Sequence, residues 1–344
     1  MTTVFLTGAS GYIGKHITMQ LLNAGYSVRA SVRSSAKGAE VIDALRAHLS
    51  DPNVANTHLS FVELDLESDA GWSEALQGVD ALLHTASPFT IDPVSDENML
   101  IRPAVDGTLR ALRAAHAAGV GRVVLTSSVA AIQGRELPEG VTEFDESMWT
   151  DVTSPRGNDP YTKSKTLAEQ AAWNFVKHEA PEMLLTTINP SLVLGAPLDR
   201  NFGTSVAVLE RLLSAKDPAL PDVSFSIVDV KDVAAMHVRS LEIAETAGER
   251  YVASAGALTF IDMATILKAA YPKRKIVTRR APKFLLQILA LFDSQIKAIL
   301  PSLGKRVRIS STKAQTAFSL EFITPKQSVV DTAAFLLNEA PAQA

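Results

Sequence analysis

Tyr161-Thr162-Lys163-Ser164-Lys165 sets a phenol and an ammonium four residues apart. On a helix that step turns about 400°, so the two side chains leave the same face one turn apart and act on the same small space. A nearby ammonium favours the phenolate and is expected to lower a tyrosine pKa that is about 10 in isolation, which suits Tyr161 to give a proton to a carbonyl oxygen or take one back. Upstream, Val123-Val124-Leu125-Thr126-Ser127-Ser128 is an apolar run ending in hydroxyls, one of which can hydrogen-bond the same oxygen. At the start of the chain, Gly8, Gly11 and Gly14 follow the apolar Val4-Phe5-Leu6 and open a helical pattern. Glycines at that spacing allow a tight turn, close approach of backbone to a pyrophosphate and close helix packing, while the helix N-terminus presents N–H donors. Ser10, Tyr12 and Ile13 lie within this turn and are expected to meet the cofactor with it. Together the segments imply a dinucleotide and proton chemistry.

The residue about 20 positions beyond the glycines selects the dinucleotide, because an acid there holds the ribose 2′-hydroxyl and repels a 2′-phosphate. That place holds Arg33, and no acidic residue precedes Glu40, whereas Arg29, Arg33 and Lys37 all do. A guanidinium binds phosphate through two parallel hydrogen bonds and Lys37 adds a mobile charge, so NADPH is expected over NADH. Asp65-Leu66 ends a further apolar run, where Asp65 could accept from an adenine amino group.

These residues need a frame. Val4–Leu6, Ser27–Val32, Leu59–Leu64, Ala81–His84, Val123–Leu125 and Leu184–Ile188 read as strands alternating with helical stretches such as Ile13–Ala24 and Ala104–Ala118. That alternation predicts βαβ units in a doubly wound α/β Rossmann fold with a parallel sheet covered on both faces. The pattern loosens after Pro190. Residues 1–190, with a return segment at about 224–246, are expected to form the NADP-binding domain. Residues 191–223 and 247–338, with helices at Thr259–Ala270, Lys283–Leu300 and Lys326–Leu337, form a smaller substrate-binding region, and 339–344 a frayed tail.

Composition narrows the partners. The 344 residues are 47% hydrophobic and 20% charged with net charge −4, which gives no reason to expect nucleic acid. The absence of cysteine excludes disulfides, thiolate catalysis and Fe–S clusters, and with no secretory signal it points to the cytoplasm. The longest apolar run near the end, Phe284 to Phe292, contains Gln287 and stops at Asp293, well short of the ~18 residues of a spanning helix. The seven histidines are scattered without the spacing of a metal site, so none is assigned a metal.

On Thr7-Gly8 to Gly14, Val32-Arg33, His84-Thr85-Ala86-Ser87-Pro88-Phe89, Thr126-Ser127-Ser128, Tyr161-x-x-x-Lys165 and Asn189-Pro190-Ser191-Leu192-Val193-Leu194-Gly195, the chain resembles the extended short-chain dehydrogenase/reductases over nearly its whole length. Among them it is most similar to the NADPH-dependent carbonyl reductases grouped with dihydroflavonol reductases. The resemblance implies Ser128, rather than Ser127, as catalytic serine beside Tyr161 and Lys165. It also implies that Thr85, Ala86 and Ser87, with Thr126, line the cofactor, and that Pro190, Leu192 and Val193 flank the nicotinamide. Asp106 stands where many extended members carry asparagine, and Gln133 where flavonoid reductases carry asparagine facing the substrate. Gly157-Asn158-Asp159-Pro160 lacks the Trp/Cys/Tyr cluster of cinnamoyl-CoA reductases. The substrate walls are expected from Ser87, Pro88, Phe89, Ser128, Gln133, Leu192 and Phe202, with the helix Phe284–Phe292 as a further wall, a packing surface or a dimer contact.

The leading expectation is therefore NADPH-dependent reduction of a hydrophobic aldehyde or ketone, aromatic ones included, by a monomer or homodimer. The alternatives are a sugar-nucleotide epimerase or dehydratase of the same family, which generally prefers NAD, and a non-catalytic NADP-binding regulator.

Overall fold

The computed structural model describes residues 1–87, 96–291 and 300–341. Seven parallel strands form the main sheet in the order β3-β2-β1-β4-β5-β6-β9. They are β1 (Thr3–Thr7), β2 (Ser27–Val32), β3 (Leu59–Glu63), β4 (Ala81–His84), β5 (Arg122–Thr126), β6 (Leu184–Pro190) and β9 (Glu249–Ala253). Because β1 is flanked by β2 on one side and β4 on the other, the chain reverses its direction of travel there. A crevice opens beyond the strand ends at that reversal, the usual ligand position of such sheets.

Helices cover both faces. On one, α1 (Tyr12–Asn23) packs beside α9 (Val230–Glu242), sealing Val4, Leu6, Ile17, Leu21, Val124 and Ile188. On the other, α5 (Asn98–Ala117) lies along α7 (Pro160–His178) over Phe5, Leu82, Val123 and Leu185. Alternate residues of each strand thus enter opposite cores, which is why these strands are apolar throughout.

A second sheet of order β10-β8-β7 joins β7 (Leu192–Leu194), β8 (Ser224–Asp229) and β10 (Gly256–Thr259). With α8 (Thr204–Ser214), α10 (Phe260–Ala270) and α13 (Pro325–Leu337) it builds a third core around Leu194, Leu209, Ile227, Leu267 and Val329. The expected return segment 224–246 divides: its strand joins the small sheet while its helix packs on α1. Residues 249–253, expected in the second region, close the main sheet instead. Both differences come from pairing between distant strands, which local pattern does not carry. Of the expected helix 283–300, α11 (Lys283–Leu289) is formed, and 292–299 lie outside the described residues. In it Leu286 is buried while Phe284 and Ile288 are exposed.

Candidate active site

The glycine turn meets the end of β4 at backbone level. Gly8 has φ +75°, and a Cβ there would lie 2.8 Å from the Ala86 nitrogen and 2.9 Å from Thr85 Oγ1. Thr7 Oγ1 accepts the amides of Thr85 and Ala86, both at 3.1 Å, while Thr85 Oγ1 donates to the Thr7 carbonyl at 2.6 Å. With two donors already on that oxygen, the Thr7 hydroxyl proton goes to His84 Nδ1 at 2.8 Å, and the neutral ring carries its own proton on Nε2. Burial, with the positive Lys165 nearby, lowers His84 to about 3. His84 is a neutral spacer.

Gly11 donates to the Gly8 carbonyl at 3.0 Å and precedes α1, leaving the amides of Tyr12, Ile13 and Gly14 without intrahelical acceptors. This cradle of open amides, from which side chains are excluded, fits a pyrophosphate. The Tyr12 phenol takes no part: it is buried and donates to the Gly195 carbonyl at 2.7 Å, so Tyr12 offers only its amide. The Ser10 carbonyl accepts from Asn201 Nδ2 at 3.3 Å, and Lys15 holds Asp199 at 2.5 Å, so the 199–201 loop rests on the turn. A Cβ on Gly14 would stand 2.2 Å from the Gly8 carbonyl oxygen. Gly14→Ala is therefore expected to destabilise the fold by about 1–3 kcal/mol and weaken NADPH at least about tenfold, read by thermal unfolding and cofactor titration.

Beyond β2, Arg33 is exposed and its guanidinium has no partner among the described residues. Lys37 instead pairs with Glu40 at 2.6 Å. Such an exposed pair is worth little and yields readily to a phosphate. Arg29 is committed to the carbonyls of Ala75 and Gln77. Asp65 uses Oδ1 to accept the Glu67 amide at 2.9 Å, leaving Oδ2 for an adenine, and Leu66 packs over Gly107.

Three consecutive hydroxyls at the end of β5 go to three different places. His237 Nδ1 must donate to the Val233 carbonyl at 2.7 Å, which makes Nε2 the acceptor of the Thr126 hydroxyl at 2.7 Å. Thr126 thus turns to α9, and only its backbone and methyl remain for a cofactor. Ser127 donates to buried Glu169 at 2.6 Å. Ser128 accepts the Ala130 amide at 3.1 Å and shares a hydrogen bond with the Tyr161 phenol.

Helix α7 starts where it does because Pro160 occupies its first turn and Asp159 caps it, accepting the Thr162 amide at 2.9 Å. Tyr161 consequently sits at the helix mouth, with Lys165 Nζ 6.0 Å from its ring centroid. Although 36% of the tyrosine is open to solvent, its hydroxyl end is enclosed, and burial raises its pKa against the lowering effect of the Ser128 hydrogen bond. The lowering expected from Lys165 is not what this arrangement produces, since desolvation of the phenolate dominates. Burial likewise lowers Lys165 to about 8.

A small cavity of about 10 Å³, room for one water, is bounded by Ala86, Ser87, Thr126 and Lys165 with Thr108, Ser127 and Glu169. On the substrate side, Gln133 ends the short helix α6 (Ala130–Gln133) that follows Ser128. Pro190 and Val193 are buried, whereas Leu192 is half-buried against the third core. Phe202, next to the 199–201 loop, packs edge-on against Phe335 with ring centroids 6.5 Å apart. Pro88 and Phe89 lie outside the described residues. A cavity of about 610 Å³ lies elsewhere, between Trp149, Trp173, Arg250 and Lys313, and none of the expected site residues lines it.

The family model that matches residues 4–254 is the NAD dependent epimerase/dehydratase family. Cinnamoyl-CoA reductase CAD2 of Medicago truncatula is 36% identical over 277 residues, covering 79% of this chain and 82% of that one. The bifunctional dihydroflavonol 4-reductase/flavanone 4-reductase of Malus domestica is 33% identical over 289 residues, covering 80% and 78%. The crystal structure of Gre2 from Candida albicans in complex with NADPH superposes with a TM-score of 0.81 at 29% identity, over 98% of this chain and 99% of that one. The match reaches from β1 to the end of β9, taking in the glycine turn, the three hydroxyls and the Tyr161–Lys165 helix, and this protein therefore belongs to the NAD dependent epimerase/dehydratase family.

Proposed function

We propose that the protein is an NADPH-dependent carbonyl reductase acting on a hydrophobic aldehyde or ketone, with Tyr161 as general acid. The observation that carries this reading is the Tyr161–Ser128 hydrogen bond with Lys165 one turn away, together with the open glycine turn and an exposed Arg33 just after β2. Gly8, Ser10, Gly11, Ile13 and Gly14 with the Tyr12 amide would hold the pyrophosphate, Arg33 and Lys37 the 2′-phosphate, and Thr85–Ser87, Pro190, Leu192 and Val193 the nicotinamide end. The bound cofactor would supply two electrons as hydride.

The raised phenol pKa keeps Tyr161 protonated across the neutral range, the state a reduction requires. Ser128 steadies the substrate oxygen as negative charge gathers there, and Tyr161 delivers its proton to that oxygen. The Lys165 ammonium then favours the phenolate left behind. The relatives named for cinnamoyl-CoA and dihydroflavonol reduction, and the NADPH-bound Gre2, support this direction and this cofactor.

Epimerisation is the second reading, favoured by the name of the family, but an unopposed Arg33 in place of an acid suits a 2′-phosphate. Among the described residues no helix is long and apolar enough to cross a membrane. We read the protein as a cytoplasmic monomer or homodimer whose partners are small carbonyl compounds.

Lys165 loses its proton as pH rises through about 8, so kcat/KM is expected to fall above that pH, approaching tenfold per pH unit. Lys165→Met should give a low profile without that limb. The decisive assay follows NADPH and NADH consumption across aromatic and aliphatic aldehydes, ketones and diketones. NADPH-selective turnover supports the reading; tight NADPH binding with no turnover on any of them overturns it.

A further inference from the structure

Behind the reacting residues lies a buried ion pair whose atoms reach back to them. Glu169 stands one turn beyond Lys165 and two beyond Tyr161 on α7, and it is 1% exposed. Its Oε1 accepts from Arg250 Nε at 2.7 Å, Thr187 Oγ1 at 3.0 Å and Trp173 Nε1 at 3.3 Å. Its Oε2 accepts from Ser127 Oγ at 2.6 Å, Asn189 Nδ2 at 2.7 Å and Arg250 Nη2 at 3.3 Å. Arg250, on β9, is completed by the carbonyls of Glu146 and Met148, both at 2.8 Å, and by the Trp149 ring 3.7 Å from its Cζ.

Desolvating two charges cancels most of what their attraction returns, so this pair is a weak source of stability. What it does supply is geometry: one carboxylate gathers donors from the residue that follows β5 and from β6, β9 and α7 at once. Asn189 carries that geometry to the reacting centre, because the same Nδ2 that donates to Glu169 also donates to the Ser128 carbonyl at 3.1 Å. Ser127, the neighbour of Ser128, is held by its hydroxyl to the same oxygen of Glu169.

We propose that Glu169 is a positioning residue for the reaction, its buried carboxylate setting through Asn189 and Ser127 the place at which Ser128 meets Tyr161. This rests on the assignment of Ser128 and Tyr161 above. It makes a chemical distinction between carboxylate and amide at equal shape. In Glu169→Gln one oxygen can still face Arg250, but the new amide nitrogen then meets Asn189 Nδ2, donor against donor. Turning Asn189 over relieves that contact and sets its Oδ1 against the Ser128 carbonyl, breaking the link.

The test is a double-mutant cycle on Glu169→Gln and Ser128→Ala, measuring kcat, KM and NADPH affinity. Glu169→Gln is expected to lower kcat about tenfold while NADPH affinity stays within about twofold, and to cost less than about twofold when Ser128 is already alanine. Unchanged kcat in Glu169→Gln, or the same tenfold loss repeated on Ser128→Ala, would overturn the proposal, the second outcome marking a purely structural acid. Wild-type kcat in Ser128→Ala alone would overturn the assignment of Ser128, and this inference with it. Should Glu169→Gln fail to fold, Ser127→Ala keeps the ion pair and removes one thread. It is expected to lower kcat about threefold, again only when Ser128 is present, and an unchanged kcat would count against the proposal.

Discussion

Tyr161→Phe is expected to lower kcat by about 10²–10⁴-fold while NADPH affinity changes by less than about threefold. The substitution keeps the ring and removes one hydroxyl, the one that shares a hydrogen bond with Ser128 and whose raised pKa keeps it protonated at neutral pH. The buried histidines of β4 and α9, His84 and His237, have pKa values lowered to about 3 and 4, so both are neutral in the working range. Steady-state turnover with NADPH, paired with a fluorescence titration of the cofactor, separates the two quantities. Retained turnover would remove Tyr161 from the role of general acid. A parallel loss of NADPH affinity would show that the phenol serves cofactor binding more than proton delivery.

Arg33→Asp is expected to weaken NADPH by about 100-fold and leave NADH within a few fold, reversing the cofactor preference. The magnitude follows from losing a charge-assisted pair of hydrogen bonds and placing a carboxylate near a dianionic phosphate, about 3 kcal/mol after discount for an exposed site. Lys37 limits the effect less than its charge suggests, since it is engaged by Glu40 at 2.6 Å and must leave that partner first. Lys37→Met should accordingly cost NADPH several-fold less than Arg33→Asp does. Comparing KM for the two cofactors in both variants checks the order, and an unchanged preference in Arg33→Asp would place the phosphate elsewhere.

All six strands read from apolar runs are present, within a residue or two at each end. The four that were not read share a cause. β7 has three residues, β10 is Gly256-Ala257-Leu258-Thr259, and β8 and β9 open with polar residues, so none carries a run that local pattern would separate from loop. They are strands because a neighbour's unpaired edge lies beside them: β9 completes β6 in register from Thr186–Glu249 to Pro190–Ala253.

The same division runs through the site. Relations between residues close in the chain were legible: the glycines that must leave room for backbone, the missing acid before Arg33, and the four-residue step from Tyr161 to Lys165. Each follows from local geometry that any fold containing the segment must obey. Which hydroxyl of Thr126, Ser127 and Ser128 would face the phenol was open in spacing alone and was taken from resemblance. The tertiary structure separates the three by giving His237 to one, Glu169 to the next and Tyr161 to the last. It also takes the Tyr12 phenol away from the cofactor turn and moves Phe202 onto Phe335. The Glu169–Arg250 pair joins residues 81 positions apart, and only burial tells it from two charged residues on a solvated surface. Hydrogen-bond direction, desolvation and pKa depend on what the chain brings from a distance, and so the chemistry was written in the sequence while its aim was set by the fold.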